Sequence, residues 1–473
     1  MSFDLLLADV DGRPILPRPL PHGVLARTPA TQAPAGDTEH LWSDGGNLDS
    51  LREQRWGLVV PTGPLGKRLL ERVHPLRQAR EEEQGGAARV YEVAPGLDGP
   101  ASQAWKDDVF RKSAPQGQLP RYLLILGDFD QVSLELQQVL ATDAFVGRLA
   151  FAEEAAYAAY VEKVLRWERK PSREHAGRAL FFAARDGTIA TEAGREVLIE
   201  PVLRQCREEL ELGEFGAWEL ARVEGDGAAL RERVHMAGPD VLFTLSHGVG
   251  VAGNNADSNL RRRTLQGALC LGPQELLTAA EVTGRPFLPG GFWLCFACFG
   301  AGTPSRSAYY PWLQSLREAG ASAYRPEHVL ASLPGEGEPP FVAALPQAAL
   351  ANPEGPLAFI GHMDLAWSYS FQDSRGRGRE ERFTPVIAEV LRGHRAGAAH
   401  HSLMSMAGEV LMQLAICQQE HASLAARGGK QPPDSIKLGS LWMTWQDLRA
   451  FVLLGDPAVR LPMPRRGPAS AHP

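Results

Sequence analysis

The chain has 473 residues and carries 49 Lys+Arg against 56 Asp+Glu, a formal net charge of −7. That balance excludes the basic footprint of a dedicated nucleic-acid binder, and 44% hydrophobic with 22% charged residues excludes global disorder and fibrous classes. Five cysteines are too few and too odd in number for a disulfide framework, and point to free thiols in a reducing compartment.

The opening MSFDLLLADVDG sets Asp4 and Asp9 around a short apolar run with no basic stretch before it, unlike a secretory signal. No apolar segment reaches the roughly 18 residues of a membrane-spanning helix, so a cytoplasmic chain with no membrane partner is expected. Residues 1–115 are rich in Pro and turn residues, with strands predicted at the start and at Trp56–Val60 and a charged helix over Gly66–Glu83. They are expected to form a small N-terminal layer of accessory or regulatory character. From Pro120 the pattern changes. Short apolar runs recur at Tyr122–Leu126, Ala179–Ala184, Asp240–Leu245, Phe292–Ala297, Pro356–Gly361 and Phe451–Leu454. Between them lie helix-length segments at Glu153–Glu168, Glu192–Leu212, Asp226–Met236, Ser305–Glu318 and His400–Glu420. This alternation predicts an α/β fold, a mostly parallel sheet with helices on both faces, over residues 116–462. Residues 463–473 are expected to be a disordered tail.

Two stretches, Val249–Gly291 and Ser332–Glu354, read as long irregular loops, the first carrying Arg261, Arg262 and Arg263 in a row. The triple Arg reads as a solvated loop or as a processing site. His400 and His401 read as solvated, and Gly455-Asp456-Pro457 as a strand-ending turn.

In parallel sheets chemistry sits past the C-terminal strand ends, and two such ends stand out: Ser246-His247-Gly248, and Ala297-Cys298-Phe299-Gly300. A His near a Cys is what thiol chemistry needs, because the imidazole takes the thiol proton and later protonates a leaving amine. Glycine beside the His lets backbone N–H groups, those of Gly248 and Cys298, approach a developing oxyanion. Singly, each residue has a plain structural reading, the His as a hydrogen-bond partner and the Cys as a small buried hydrophobe. Cys295 alternates with Cys298 along the strand and reads as core; the C-x-x-C they form has no second pair to make a zinc site.

These blocks in order resemble the gingipain-like cysteine peptidases of the caspase-hemoglobinase fold: YLLILGD at Tyr122, VGRLAF at Val146, ALFFAARDG at Ala179, SHG at Ser246, FACFGAG at Phe296, PLAFIGHMDLAWSYSF at Pro356 and LLGDPAVRL at Leu453. The resemblance implies Cys298 as nucleophile, His247 as general base and acid, and Gly248 as oxyanion-hole donor. It also implies Asp186 as the acid orienting the histidine, where the family would have Glu. Trp367 would wall the pocket for the side chain preceding the cleaved bond, with Glu192 or Asp364 as its acidic floor. Asp186 and Glu192 also flank a helix start, where acids are favoured without any catalytic role.

The implied function is a cysteine endopeptidase of the cytoplasm that cleaves proteins or peptides after Arg or Lys, with no cofactor and no metal. Restraint by residues 1–115, by the Val249–Gly291 loop or by a regulatory protein partner is expected, as in bacterial defence or regulated cell death, with self-cleavage at Arg261–Arg263. The alternative is a caspase-like scaffold or interaction module without catalysis.

Overall fold

A computed structural model describes residues 2–16, 18–28, 46–170, 177–236, 238, 240–253, 255–321, 325–373, 375–426 and 434–461; the expected tail lies outside them. The strands in chain order are β1 Ser2–Phe3, β2 Leu7–Ala8, β3 Leu20–Pro21, β4 Trp56–Pro61, β5 Arg89–Val93, β6 Tyr122–Leu126, β7 Phe145–Leu149, β8 Gly177–Ala183 and β9 Trp218–Arg222. They continue with β10 Asp240–Leu245, β11 His247–Val249, β12 Leu269–Gly272, β13 Glu275–Leu277, β14 Phe292–Phe296, β15 Gly302–Thr303, β16 Phe341–Val342, β17 Ala358–His362 and β18 Phe451–Leu454.

Ten of these form one sheet, ordered β5-β4-β6-β7-β18-β17-β14-β10-β8-β9. β5 to β18 run parallel to one another, and so do β17 to β9. The two blocks meet antiparallel where Phe359–His362 pair with Phe451–Leu454. The expected mostly parallel α/β sheet is therefore present, built as two parallel halves of opposite direction.

Strands such as WGLVVP and YLLIL are buried at every position, as runs covered on both faces must be. Alternate side chains divide accordingly. Leu58, Val60, Leu124 and Leu126 join one core cluster with Tyr157, Tyr160 and Val164, whereas Val59, Leu123, Ile125 and Val146 join another with Phe110, Leu136 and Leu140.

Four expectations change. Residues 46–115 are not a separate layer, because β4 pairs with β6 in continuous register from Trp56↔Tyr122 to Val59↔Ile125 and shares its core. Neither long stretch is irregular: Val249–Gly291 holds a helix Ala256–Leu265 and the hairpin β12–β13, and Ser332–Glu354 holds β16 and a helix Ala344–Ala351. Arg261–Arg263 lie on that helix rather than on a loop, with Arg262 buried, ion-paired to Glu338 and donating to the carbonyls of Val251 and Gly253. A helical, partly buried segment does not present the extended backbone that a peptidase cleft binds, so the self-cleavage expectation loses its structural basis there. His400 is buried and contacts the Phe451 carbonyl at 3.0 Å, and the His401 ring packs edge-on against Phe145.

Candidate functional site

The register of the sheet gathers the site. Ala183, Leu245, Phe296 and the strand β17 beyond them end side by side, because Leu245 pairs with both Ala183 and Phe296, and Cys295 pairs with Gly361. Asp186, His247, Cys298 and the segment 364–368 all follow these four strand ends, where a doubly wound sheet opens its crevice.

His247 and Cys298 are both buried. Gly248 brings their strands together: a Cβ built on it would lie 1.9 Å from the Cys298 carbonyl oxygen, so only glycine fits. Phe299, directly after Cys298, has φ +55, a left-handed conformation costly for an aromatic residue. It is fixed by Phe299 N–H to Asp364 O at 2.9 Å and Ala301 N–H to His362 O at 2.9 Å. The nucleophile candidate thus sits on a strained turn tied to the neighbouring strand.

The imidazole is oriented by a compact polar cluster. Its Nε2 lies 3.0 Å from Thr188 Oγ1 and 3.6 Å from Asp186 Oδ2. Asp186 Oδ1 accepts from Thr188 N–H (3.0 Å), Thr188 Oγ1 (2.8 Å) and Thr191 Oγ1 (2.6 Å). Thr188 has one hydroxyl proton; with that proton given to the carboxylate, the contact with Nε2 would be made by an N–H on the ring. That tautomer leaves a lone pair on Nδ1, which is buried and has no hydrogen-bond partner. Burial lowers the His247 pKa below its ordinary value, with the Asp186 charge opposing. Burial likewise pushes the Cys298 thiol well up, with the N–H of Ala366 working the other way. Burial thus works against the charged form of both groups.

Around the thiol, Ala366 N–H donates to Sγ at 3.1 Å. The N–H groups of Gly248 and Cys298 converge on one carbonyl oxygen, that of Leu6, at 2.9 and 3.4 Å. The segment carrying Ala366 is held from behind. Asp447 accepts the Trp367 N–H with both oxygens, at 3.0 and 3.2 Å, and pairs with His362 Nε2 at 3.0 Å. Burial works against charge on His362, but Asp447 outweighs it and holds the imidazole above its ordinary pKa.

Of the residues singled out in the sequence, Asp186, His247, Gly248, Cys298 and Trp367 are brought to one place. Glu192 is not: its side chain is 61% exposed and bonds Arg195. Asp364 is nearby and buried, but its oxygens accept from Ala308 N–H and Leu365 N–H, both at 2.8 Å. Trp367 is packed in an aromatic group with Phe3, Tyr309 and Trp312. Sequence reasoning missed Thr188, Thr191, Ala366 and Leu6. Thr188 carried a signal, since it is the N-cap of the helix Ile189–Gly194 and accepts from Thr191 N–H. Among the described residues no group of three or more His, Cys, Asp or Glu side chains is arranged to hold a metal ion.

No family model and no curated protein matches the chain. Solved structures do. One, described as that of a protease, is 12% identical with a TM-score of 0.50, over 88% of this chain and 80% of its own. The Arg-specific cysteine proteinase gingipain R is 13% identical with a TM-score of 0.49, over 87% and 78%. The complex of the pro- and mature domains of Porphyromonas gingivalis RgpB is 11% identical with a TM-score of 0.46, over 86% and 79%. The first of these shows that the chain shares a protease's fold; function has to be argued from the site.

Proposed function

We propose that this chain is a cysteine endopeptidase in which Cys298 is the nucleophile, His247 the general base and acid, and Asp186 with Thr188 the pair that orients the imidazole. The observation that carries the reading is the convergence of Gly248 N–H and Cys298 N–H on a single peptide carbonyl oxygen beside the Cys298 thiol. A buried His with its Nδ1 unpartnered and its Nε2 engaged by an acidic cluster supports it.

In the reaction, Nδ1 takes the Sγ proton as sulfur attacks the carbonyl carbon of the substrate. The electron pair moves onto the carbonyl oxygen, which the N–H groups of Gly248 and Cys298 stabilise. Collapse of this adduct breaks the C–N bond, and the imidazolium gives its proton to the departing amine. A water molecule, deprotonated by the same Nδ1, then hydrolyses the thioester and regenerates the thiol. Ala366 N–H, donating to sulfur, favours the thiolate as it forms.

The expectation of a basic residue before the cleaved bond rested on Glu192 or Asp364 as a carboxylate floor. Glu192 is spent on a surface ion pair and Asp364 on backbone donors, so that preference has no support from either residue. The proposed substrate is an extended segment of a protein or peptide.

The test is turnover of a mixed fluorogenic peptide library by the full chain, by Cys298→Ala and by His247→Gln. Activity falling by at least ~10³-fold in both variants is the expected outcome. Turnover that survives Cys298→Ala would overturn the assignment, and a wild type that binds peptides without turning them over would favour the scaffold alternative.

A further inference from the structure

The Leu6 oxygen at the oxyanion donors is part of a longer engagement. Asp4 O accepts from Ser368 N–H at 3.1 Å, and Asp4 N–H donates to Ser368 Oγ at 3.0 Å. Leu5 bridges Trp367 in the antiparallel sense, and Leu6 N–H donates to Ala366 O at 3.1 Å. Past Leu6 the strand changes partner. Leu7–Ala8 run parallel to Gly248–Val249, and Gly250 N–H closes on Ala8 O at 2.7 Å.

The side chains follow the same path. Phe3 lies within an aromatic cage, its ring centroid 4.8 Å from Tyr369, 5.5 Å from Trp367, 5.9 Å from His22 and 6.1 Å from Trp312. Phe3, Leu5, Leu6, Leu7 and Ala8 are all buried, with Leu6, Leu7 and Ala8 at 0% exposure. This is strand addition: main-chain hydrogen bonds set the register and pockets for individual side chains add selectivity. The carbonyl held by the N–H groups of Gly248 and Cys298 is that of the Leu6–Leu7 peptide bond.

We propose that residues 3–8 are the chain's own ligand for this cleft, held in a substrate's register with the Leu6–Leu7 bond presented to Cys298. The cleft accordingly selects peptides with an apolar residue before the cleaved bond and an aromatic residue three positions earlier. The strand competes with such peptides for the cleft, so turnover by the full chain is slow until it is displaced. The selectivity half rests on the peptidase reading; the occupancy half does not.

Both halves are tested on the full chain. Iodoacetamide labelling, read cysteine by cysteine by mass spectrometry, compares wild type with a Phe3→Ala/Leu6→Pro variant, which loses the caged ring and the N–H donated to Ala366. Cys298 is expected to label as slowly as the buried Cys295 and Cys206 in the wild type, and at least about tenfold faster in the variant, while those two stay slow. Equal labelling of Cys298 in the two proteins overturns the proposal. Should Cys295 and Cys206 speed up as well, the variant has unfolded and Phe3→Ala alone carries the comparison.

Turnover of acetyl-Phe-Asp-Leu-Leu-aminomethylcoumarin is measured on the same proteins. Gain of turnover together with gain of labelling supports both halves, and faster turnover of acetyl-Phe-Asp-Leu-Arg-aminomethylcoumarin than of this peptide overturns the selectivity. Cys298 freed without any turnover keeps the ligand strand and sinks the peptidase reading. Turnover at the same rate in wild type and variant keeps the peptidase and sinks the strand.

Discussion

Arg80 and Asp456, 376 positions apart in the chain, form a buried ion pair at 2.8 Å. Arg80 also bonds Glu168 at 2.6 Å, and Asp456 accepts the indole N–H of Trp56 at 2.9 Å. The turn after β18 is thereby pinned to the helices His74–Gln84 and Glu154–Glu168 and to β4. Asp456→Ala leaves Arg80 with Glu168 and Glu83 alone and the buried Trp56 N–H without its acceptor, so it is expected to cost about 2–3 kcal/mol of stability. Urea unfolding should show that loss as a lower midpoint with an unchanged slope, whereas a loss below ~1 kcal/mol would mean that the two parts are held together by packing alone.

Asp186→Asn keeps the shape of the cluster and removes its charge. The negative charge that opposes desolvation of the imidazole is lost, so the His247 pKa drops further and the ring becomes a weaker base. Turnover should fall by roughly 10–100-fold, and the acid limb of the pH–rate profile should move to lower pH. A fall in rate with an unmoved limb would assign Asp186 to local folding only.

Gly248→Ala forces a methyl group onto the Cys298 carbonyl oxygen, 1.9 Å away. The strand end must shift and carry the oxyanion donor with it, with an expected loss of about 10²–10³-fold in turnover. Circular dichroism should remain that of the wild type, since the ten-stranded sheet does not depend on this contact.

Asp4 makes docking of residues 3–8 depend on pH. Burial raises its carboxyl from 3.8 to about 6, so the docked strand binds a proton more tightly than the released one. Docking therefore weakens as pH rises from about 4 to 6 and stays weakened above that. Asp4→Asn should slow Cys298 labelling relative to wild type at pH 7, with the gap closing toward pH 4.

His400 has the opposite bookkeeping. Burial pushes it down to about 4, so below its ordinary 6.5 the unfolded chain takes up the proton first and stability is lost progressively as pH falls to about 4. The full loss is about 3 kcal/mol. His400→Gln, which can still donate to the Phe451 carbonyl, should flatten stability between pH 6.5 and 4 in urea titrations.

The strands that frame the site were legible in the sequence because each is a continuous apolar run; Asp240–Leu245 and Phe451–Leu454 coincide with the observed strands. The positions of His247 and Cys298 followed from those strand ends. What local pattern does not encode is pairing at long range. WGLVV reads as a strand, yet nothing near it says that it lies beside Tyr122–Leu126 in the same sheet. The triple Arg hid a helix because charge masks periodicity, although Asn255, whose side chain accepts from Ser258 N–H, marked its start. DLLLA, likewise, reads as an ordinary short strand; that its carbonyl meets Gly248 and Cys298 depends on residues some 240 and 290 positions away.

The change of partner at Leu6, antiparallel to 366–368 before it and parallel to 247–249 after it, has a consequence for the length of polypeptide this crevice can grip. Hydrogen bonds are provided on both flanks of the central bond, so a chain terminus seated at Cys298 would leave one of the two ladders without a partner. On the peptidase reading proposed above, the arrangement would favour interior bonds of a long, locally unfolded segment over the removal of terminal residues, and folded surfaces would first have to release several residues on each side before entering.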